Sequence, residues 1–125
     1  MGSGANKHKV LNAYTMAAGQ VYTPPAINLS NAGSKLTYLL QVSGTGSIKV
    51  EWLVPDSAGA PIKPGNLASD CVLTSSFTVT SGPDADGKLY IAFPSDFFAP
   101  NQVWFRFTEV GGLATATVTF FVEHD

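Results

Sequence analysis

The chain reads as an all-β protein: an antiparallel two-sheet β-sandwich, jelly-roll-like, with about seven to nine strands. Three observations predict this. Apolar and polar residues alternate with period two in several runs, most clearly in Leu36–Val54 and Gln102–Glu123. Clusters of Gly, Pro, Asn, Asp and Ser interrupt those runs at intervals of about 8–12 residues, as in sandwiches and barrels. No stretch shows the 3.6-residue period of an amphipathic helix.

Taken in order, residues 1–6 are a flexible lead-in to a single domain spanning residues 7–125. Lys7 to Met16 is a strand with Val10 and Leu11 on its apolar side, turned by Ala17-Ala18-Gly19. Gln20 to Thr23 is a short strand ended by Pro24-Pro25, which cannot donate to a ladder and so belong at an edge. Ile27-Asn28-Leu29 adds a brief pairing, and Ser30 to Ser34 is a turn. Leu36–Val42 and Ile48–Val54 flank Ser43-Gly44-Thr45-Gly46 and are expected to pair as a β-hairpin. Pro55 to Ser69 holds three prolines and three Gly or Asn breaks, so it reads as a long loop without a regular element. Cys71 to Thr80 is a strand bulged at Ser75-Ser76, and Ser81 to Gly87 is a turn. Lys88 to Phe93 is a strand, and Pro94 to Asn101 is a proline-bounded loop. Gln102 to Val110 and Leu113 to Glu123 are strands joined at Gly111-Gly112, again with a hairpin signal. The predicted core is Leu36, Tyr38, Leu40, Val42, Ile48, Val50, Trp52, Leu73, Phe77, Val79, Leu89, Ile91, Phe93, Phe105, Phe107, Ala116, Val118, Phe120 and Val122.

Composition narrows the function classes. Charged residues are 13% of the chain, against roughly 25% in average soluble domains, and the net charge is −2 with no basic cluster. The electrostatic footprint of a nucleic-acid binder is therefore missing. The single cysteine, Cys71, excludes an internal disulfide and reads as an inert core thiol. No apolar run approaches the ~18 residues of a membrane span, and the first ten residues lack the apolar segment of a signal peptide. Synthesis in a cytoplasm is expected, with no membrane partner.

Catalytic chemistry finds little support in the residue pattern. His8 and His124 lie at opposite ends of the chain. Terminal strands of a sandwich can be neighbours and bring them together, but without a third ligand or a triad order they read as surface histidines. Asp84-Ala85-Asp86-Gly87 opens like a calcium loop but lacks its distal Glu, and reads as a turn. Glu51 and Glu109 stand on strands with Lys49 and Arg106 as cross-strand partners, and read as surface ion pairs. No catalytic, metal or cofactor-binding residue is assigned, and no enzyme activity is expected. Trp104 and Phe121 fall opposite the core positions of the last two strands, so they are expected to share one outward face of a hairpin, joined by Thr115, Thr117 and Thr119. Either the N-terminal segment or the Pro55–Ser69 loop covers that face, or it is a contact surface, as exposed aromatic patches commonly are.

Several segments together carry a resemblance: YLLQVSGTGSIKVEWLV leading into the proline-glycine loop, then YIAFPSDFFAP, VWFRFTEVGG and ATATVTFFV. The chain resembles the small all-β virion proteins of tailed bacteriophages, of the head-decoration, head-fibre or tail-module type. That resemblance implies a non-enzymatic virion protein made in a bacterial cytoplasm, docking on the major capsid protein or another virion protein and self-associating as an oligomer. Contacts are then expected from Val10 and Tyr14 in the first strand, from Tyr22 in the second, from Pro61 and Ile62 in the long loop, and from Trp104, Arg106 and Phe121. The competing reading is a carbohydrate-binding or adhesin module, in which Trp104, Gln102, Asn101 and Arg106 would contact a glycan.

Overall fold

A computed structural model of the protein describes residues 6–29, 36–65, 71–92 and 102–124. They form ten strands: β1 (Asn6–Met16), β2 (Val21–Tyr22), β3 (Ile27–Asn28), β4 (Leu36–Gly44), β5 (Ile48–Pro55), β6 (Pro61–Ile62), β7 (Val72–Phe77), β8 (Lys88–Ala92), β9 (Gln102–Glu109) and β10 (Ala116–His124). One sheet has the order β1-β10-β4-β8. In the other, β9 and β5 are central, β2 and β3 pair with β9, and β6 and β7 pair with β5. All pairings are antiparallel. Counting β2 and β3 as one interrupted strand and setting the short β6 aside leaves eight main strands in two four-stranded sheets, the jelly-roll arrangement.

Alternation explains which residues are inside. In β4 the buried positions are Leu36, Tyr38, Leu40 and Val42; in β10 they are Ala116, Val118, Phe120, Val122 and His124. From the second sheet Ile48, Val50, Val103, Phe105 and Phe107 meet them. Phe120 lies at the centre, its ring 4.9 Å from Phe105, 5.2 Å from Phe107 and 5.3 Å from Tyr38. Trp52, Leu73 and Leu89 are half-buried against this core. Leu11 and Met16 of β1 complete it, with Val10 half-buried beside them where β1 bulges between Lys9 and Leu11.

Two expected hairpins do not form. β4 and β5 belong to different sheets, and so do β9 and β10. The short connections after Gly44 and Glu109 are corners that carry the chain across the sandwich. Gly46 shows why that path suits glycine: a Cβ there would lie 2.9 Å from the Thr115 carbonyl oxygen and 3.0 Å from the Ala116 Cβ. The two corners are tied together, with the Gly46 N–H donating to the Thr115 carbonyl at 2.9 Å and the Val110 N–H to the Ser47 carbonyl at 2.9 Å.

Smaller departures have local causes. The Pro55–Ser69 loop contains a regular element after all, because a turn held by Asp56 folds β6 back onto β5; Asp56 Oδ1 accepts from the Ala58 and Ala60 N–H groups. Val79 is 40% exposed rather than core, since β7 ends at Phe77 and the Thr78 and Ser81 hydrogen bonds turn the chain. The bulge expected at Ser75-Ser76 is present: three steps from Thr74 to Phe77 face two from Val50 to Ile48. β10 begins at Ala116, three residues later than expected, and leaves Leu113 94% exposed in the corner. Lead-in residues 1–5, the Ser30–Ser34 turn, Phe93 and the Pro94–Asn101 loop lie outside the described residues, as does the Ile91 side chain.

Candidate functional site

The sandwich offers two outer sheet faces, and each collects polar and aromatic side chains. On the second sheet, the residues facing away from the core include Lys49, Glu51 and Leu53 of β5 and Trp104 and Arg106 of β9, in register as Leu53 opposite Trp104 and Glu51 opposite Arg106. Glu51 is only 2% exposed. Its Oε1 accepts from Arg106 Nε and Nη2, each at 2.9 Å, and its Oε2 lies 3.6 Å from Lys49 Nζ and 3.4 Å from Lys63 Nζ. Burial alone would raise the Glu51 pKa, but the Arg106 hydrogen bond and charge, with both lysines, hold it below the ordinary carboxylate range. The expected partners were Lys49 and Arg106; the structure adds Lys63 and makes the group a buried anchor instead of a surface pair.

Cys71 is fully buried, but in this outer layer and not between the sheets; its thiol points at Glu51 Oε2, 3.9 Å away. Burial and the neighbouring carboxylate push the thiol pKa up, which keeps it protonated and unreactive.

On the first sheet, register places Lys9, Phe121, Leu39 and Tyr90 in one row across β1, β10, β4 and β8. Lys7 and Lys9 hold their ammonium groups over the Phe121 ring, at 5.2 and 6.0 Å from its centre. The next row along the strands is polar, with Thr119, Gln41 and Lys88. Beyond it Thr117 faces Ser43, and a groove of about 290 Å³ opens over these positions, bounded at one end by Asp86 and the exposed Val79.

These positions redistribute the expected contact residues. Trp104 and Phe121 do not share a face: β9 and β10 lie in different sheets, so the two aromatics are on opposite outer surfaces, with the thickness of the core between them. Arg106 joins Trp104 on the second sheet but is committed to Glu51. Tyr14 and Tyr22 come together as a stacked pair, 4.6 Å apart and packed against the core, with the Tyr14 hydroxyl accepting from Gln20 Nε2 at 2.9 Å. Val10 also packs on the core. Pro61 and Ile62 are exposed on β6. Asn101 lies outside the described residues.

At Glu109, His8 and His124 the structure corrects the expectation of surface groups. Among the described residues Glu109 has no cation as partner. Its carboxylate accepts four backbone N–H groups: Gly19 at 2.9 Å and Gly112 at 2.6 Å on Oε1, Ser47 at 2.9 Å and Gly111 at 3.0 Å on Oε2. These hydrogen bonds, that from Ser47 foremost, hold its pKa down at about 2. His8 and His124 are not separate surface groups. Antiparallel pairing of the first and last strands stacks their rings, with Nε2 to Nε2 at 3.0 Å and His124 only 5% exposed. Neither arrangement has a full signal in local sequence, because the Gly19 and Ser47 bonds to Glu109 and the His8–His124 contact join segments far apart in the chain.

In the Asp84–Gly87 turn, Asp86 accepts from the Lys88 N–H at 3.2 Å and lies 3.8 Å from Lys88 Nζ, while the Gly87 carbonyl accepts from the Val42 N–H. Among the described residues no three His, Cys, Asp or Glu side chains gather as metal ligands, and no helix is long and apolar enough to cross a membrane.

No protein-family model matches the chain, and no curated protein matches it significantly. Solved structures do. The VP2 subviral particle of infectious bursal disease virus matches 95% of this chain with a TM-score of 0.59 at 12% identity. T=1 particles derived from the same virus match 95% with a TM-score of 0.57 at 9% identity. This chain spans about a third of the VP2 chain, 31% and 30% in the two cases. The SPBc2 prophage-derived protein YomS matches 98% of this chain and 97% of its own at 20% identity, with a TM-score of 0.46, too low to carry an argument. The chain thus shares its fold with about a third of the VP2 chain.

Proposed function

We infer that the chain is a non-enzymatic structural protein of a virus particle. In its finer form, it is a head or tail accessory protein of a tailed phage that docks on a repeating lattice and associates with copies of itself. The observation that supports the reading is the jelly-roll sandwich, whose strand order recurs in viral capsid domains and whose path matches part of the VP2 chain over 95% of this one. A fold by itself hosts many functions, so the surface has to agree with it. It does: low charge, an Arg106–Glu51 anchor that stiffens the second sheet's outer face, and exposed Ile62, Val110 and Leu113 suit docking by apolar and main-chain contacts.

The test is the particle itself. Mass spectrometry of gradient-purified particles from cells carrying the gene is expected to find this chain in the particle band, in constant ratio to the main coat protein. Its confinement to the soluble fraction overturns the reading. Light scattering of the purified chain checks self-association separately. A mass at a fixed multiple of 13.1 kDa is expected, and a monomer at every concentration removes that part.

A further inference from the structure

We propose that the outer face of the first sheet binds a neutral oligosaccharide, in the groove between β10, β4 and the β7–β8 turn. The groove, about 290 Å³, is comparable with the smallest ligand clefts, which begin at roughly 300 Å³. Its lining is neutral and rich in hydrogen-bonding groups: the Gln41 amide and the hydroxyls of Ser43, Thr117 and Thr119, with Lys88 and Asp86 cancelling each other's charge at one end. Among the described residues no group bonds the half-buried Gln41 amide, which keeps two donors and an acceptor for a ligand. The Thr119 hydroxyl accepts from the Ala13 N–H at 3.0 Å, which aims its own proton elsewhere.

The adjoining row supplies what such a cluster of polar groups lacks. Tyr90 is 59% exposed, and its hydroxyl is tied to Thr37 Oγ1 at 3.1 Å, so the ring is held from its edge. It stands two residues from Lys88 on the same side of β8 and in register with Leu39, which in turn faces Phe121. At the Leu39–Tyr90 end of this row, away from Lys7 and Lys9 over Phe121, an apolar strip lies directly beside amide, hydroxyl and ammonium groups. It matches a pyranose, which has an apolar C–H face and a rim of hydroxyls. A charged ligand gains nothing from the balanced Lys88–Asp86 pair. A flat protein partner would leave the Gln41 amide unpaired beneath it, at the cost of a buried polar group.

The experiment is ¹H–¹⁵N NMR of the whole chain titrated separately with maltohexaose, cellohexaose and chitohexaose to millimolar concentration. At least one probe is expected to give saturable shifts confined to Gln41, Ser43, Lys88, Tyr90, Thr117 and Thr119. Gln41→Ala and Tyr90→Ala are each expected to weaken that binding about tenfold, the effect of one lost hydrogen bond or stacking contact. Trp104→Ala, on the opposite face, is expected to leave it unchanged, and the spectra of the variants report their folding directly. Absence of shifts with all three probes, shifts centred on Trp104, or undiminished binding by Gln41→Ala overturns the proposal. None of these outcomes bears on whether the chain is found in particles.

Discussion

Glu109 shows how one carboxylate can organise three separate turns. It gathers N–H groups from Gly19, Ser47, Gly111 and Gly112, so the β1–β2, β4–β5 and β9–β10 connections are held at one end of the sandwich. Only the ionised form accepts all four bonds, and its pKa in the folded protein is about 2 against 4.5 ordinarily. The stabilisation is therefore complete above pH 4.5 and is lost as pH falls toward 2. Thermal unfolding followed across that window is expected to show a steep loss in the native chain; Glu109→Gln lowers the melting temperature at neutral pH and flattens the acid slope. The histidine pair has its own signature at milder pH. Burial and then the charge of His124 lower the His8 pKa below 6.5, with Lys7, Lys9 and Glu123 as the other charged groups on the two strands. Their pairing favours the neutral state, so this contribution is present above pH 6.5 and is lost as pH falls through the lowered value. NMR titration is expected to place the His8 midpoint below 6.5, and His124→Gln to move it upward.

The corners matter more than their length suggests. A β4–β5 hairpin would have needed only a permissive turn; the observed crossover needs Gly46 to pass against the β9–β10 corner. Gly46→Ala forces a methyl to within 2.9 Å of backbone, and overpacking of that kind costs about 1–3 kcal/mol. Chemical denaturation is expected to show that loss, while Thr45→Ala in the same exposed corner changes stability by less than about 0.5 kcal/mol. The strands themselves were largely legible. Alternation located β4, β5, β9 and β10 to within three residues at each end and placed all four buried residues of β4, but not the strands beside it. Glu51 and Leu53 escaped because both faces of β5 are covered there: the core lies on one side, and the layer holding Cys71 and Lys63 on the other.

The whole molecule is held by the packing of one sheet on the other, and Phe120 lies at the centre of that contact. It touches rings from both sheets and is completely buried. Phe120→Ala is expected to cost about 3–5 kcal/mol in denaturant unfolding, the range for large cavities in cores. A smaller loss would mean that the two sheets close over the gap.

Period-two alternation, turn chemistry and low charge are local properties, and they suffice for an all-β sandwich with the right inner faces. They state which side of each strand is buried and nothing about which strand lies beside it. An inner face is equally apolar whether the next strand pairs alongside or packs across the core. Only the tertiary structure decided that β4 and β5 cross the sandwich, that Trp104 and Phe121 face apart, that Glu109 gathers three turns, and that His8 meets His124 from the far end of the chain. Each of those outcomes depends on contacts between distant segments, whose geometry is set by closing the two sheets into one core.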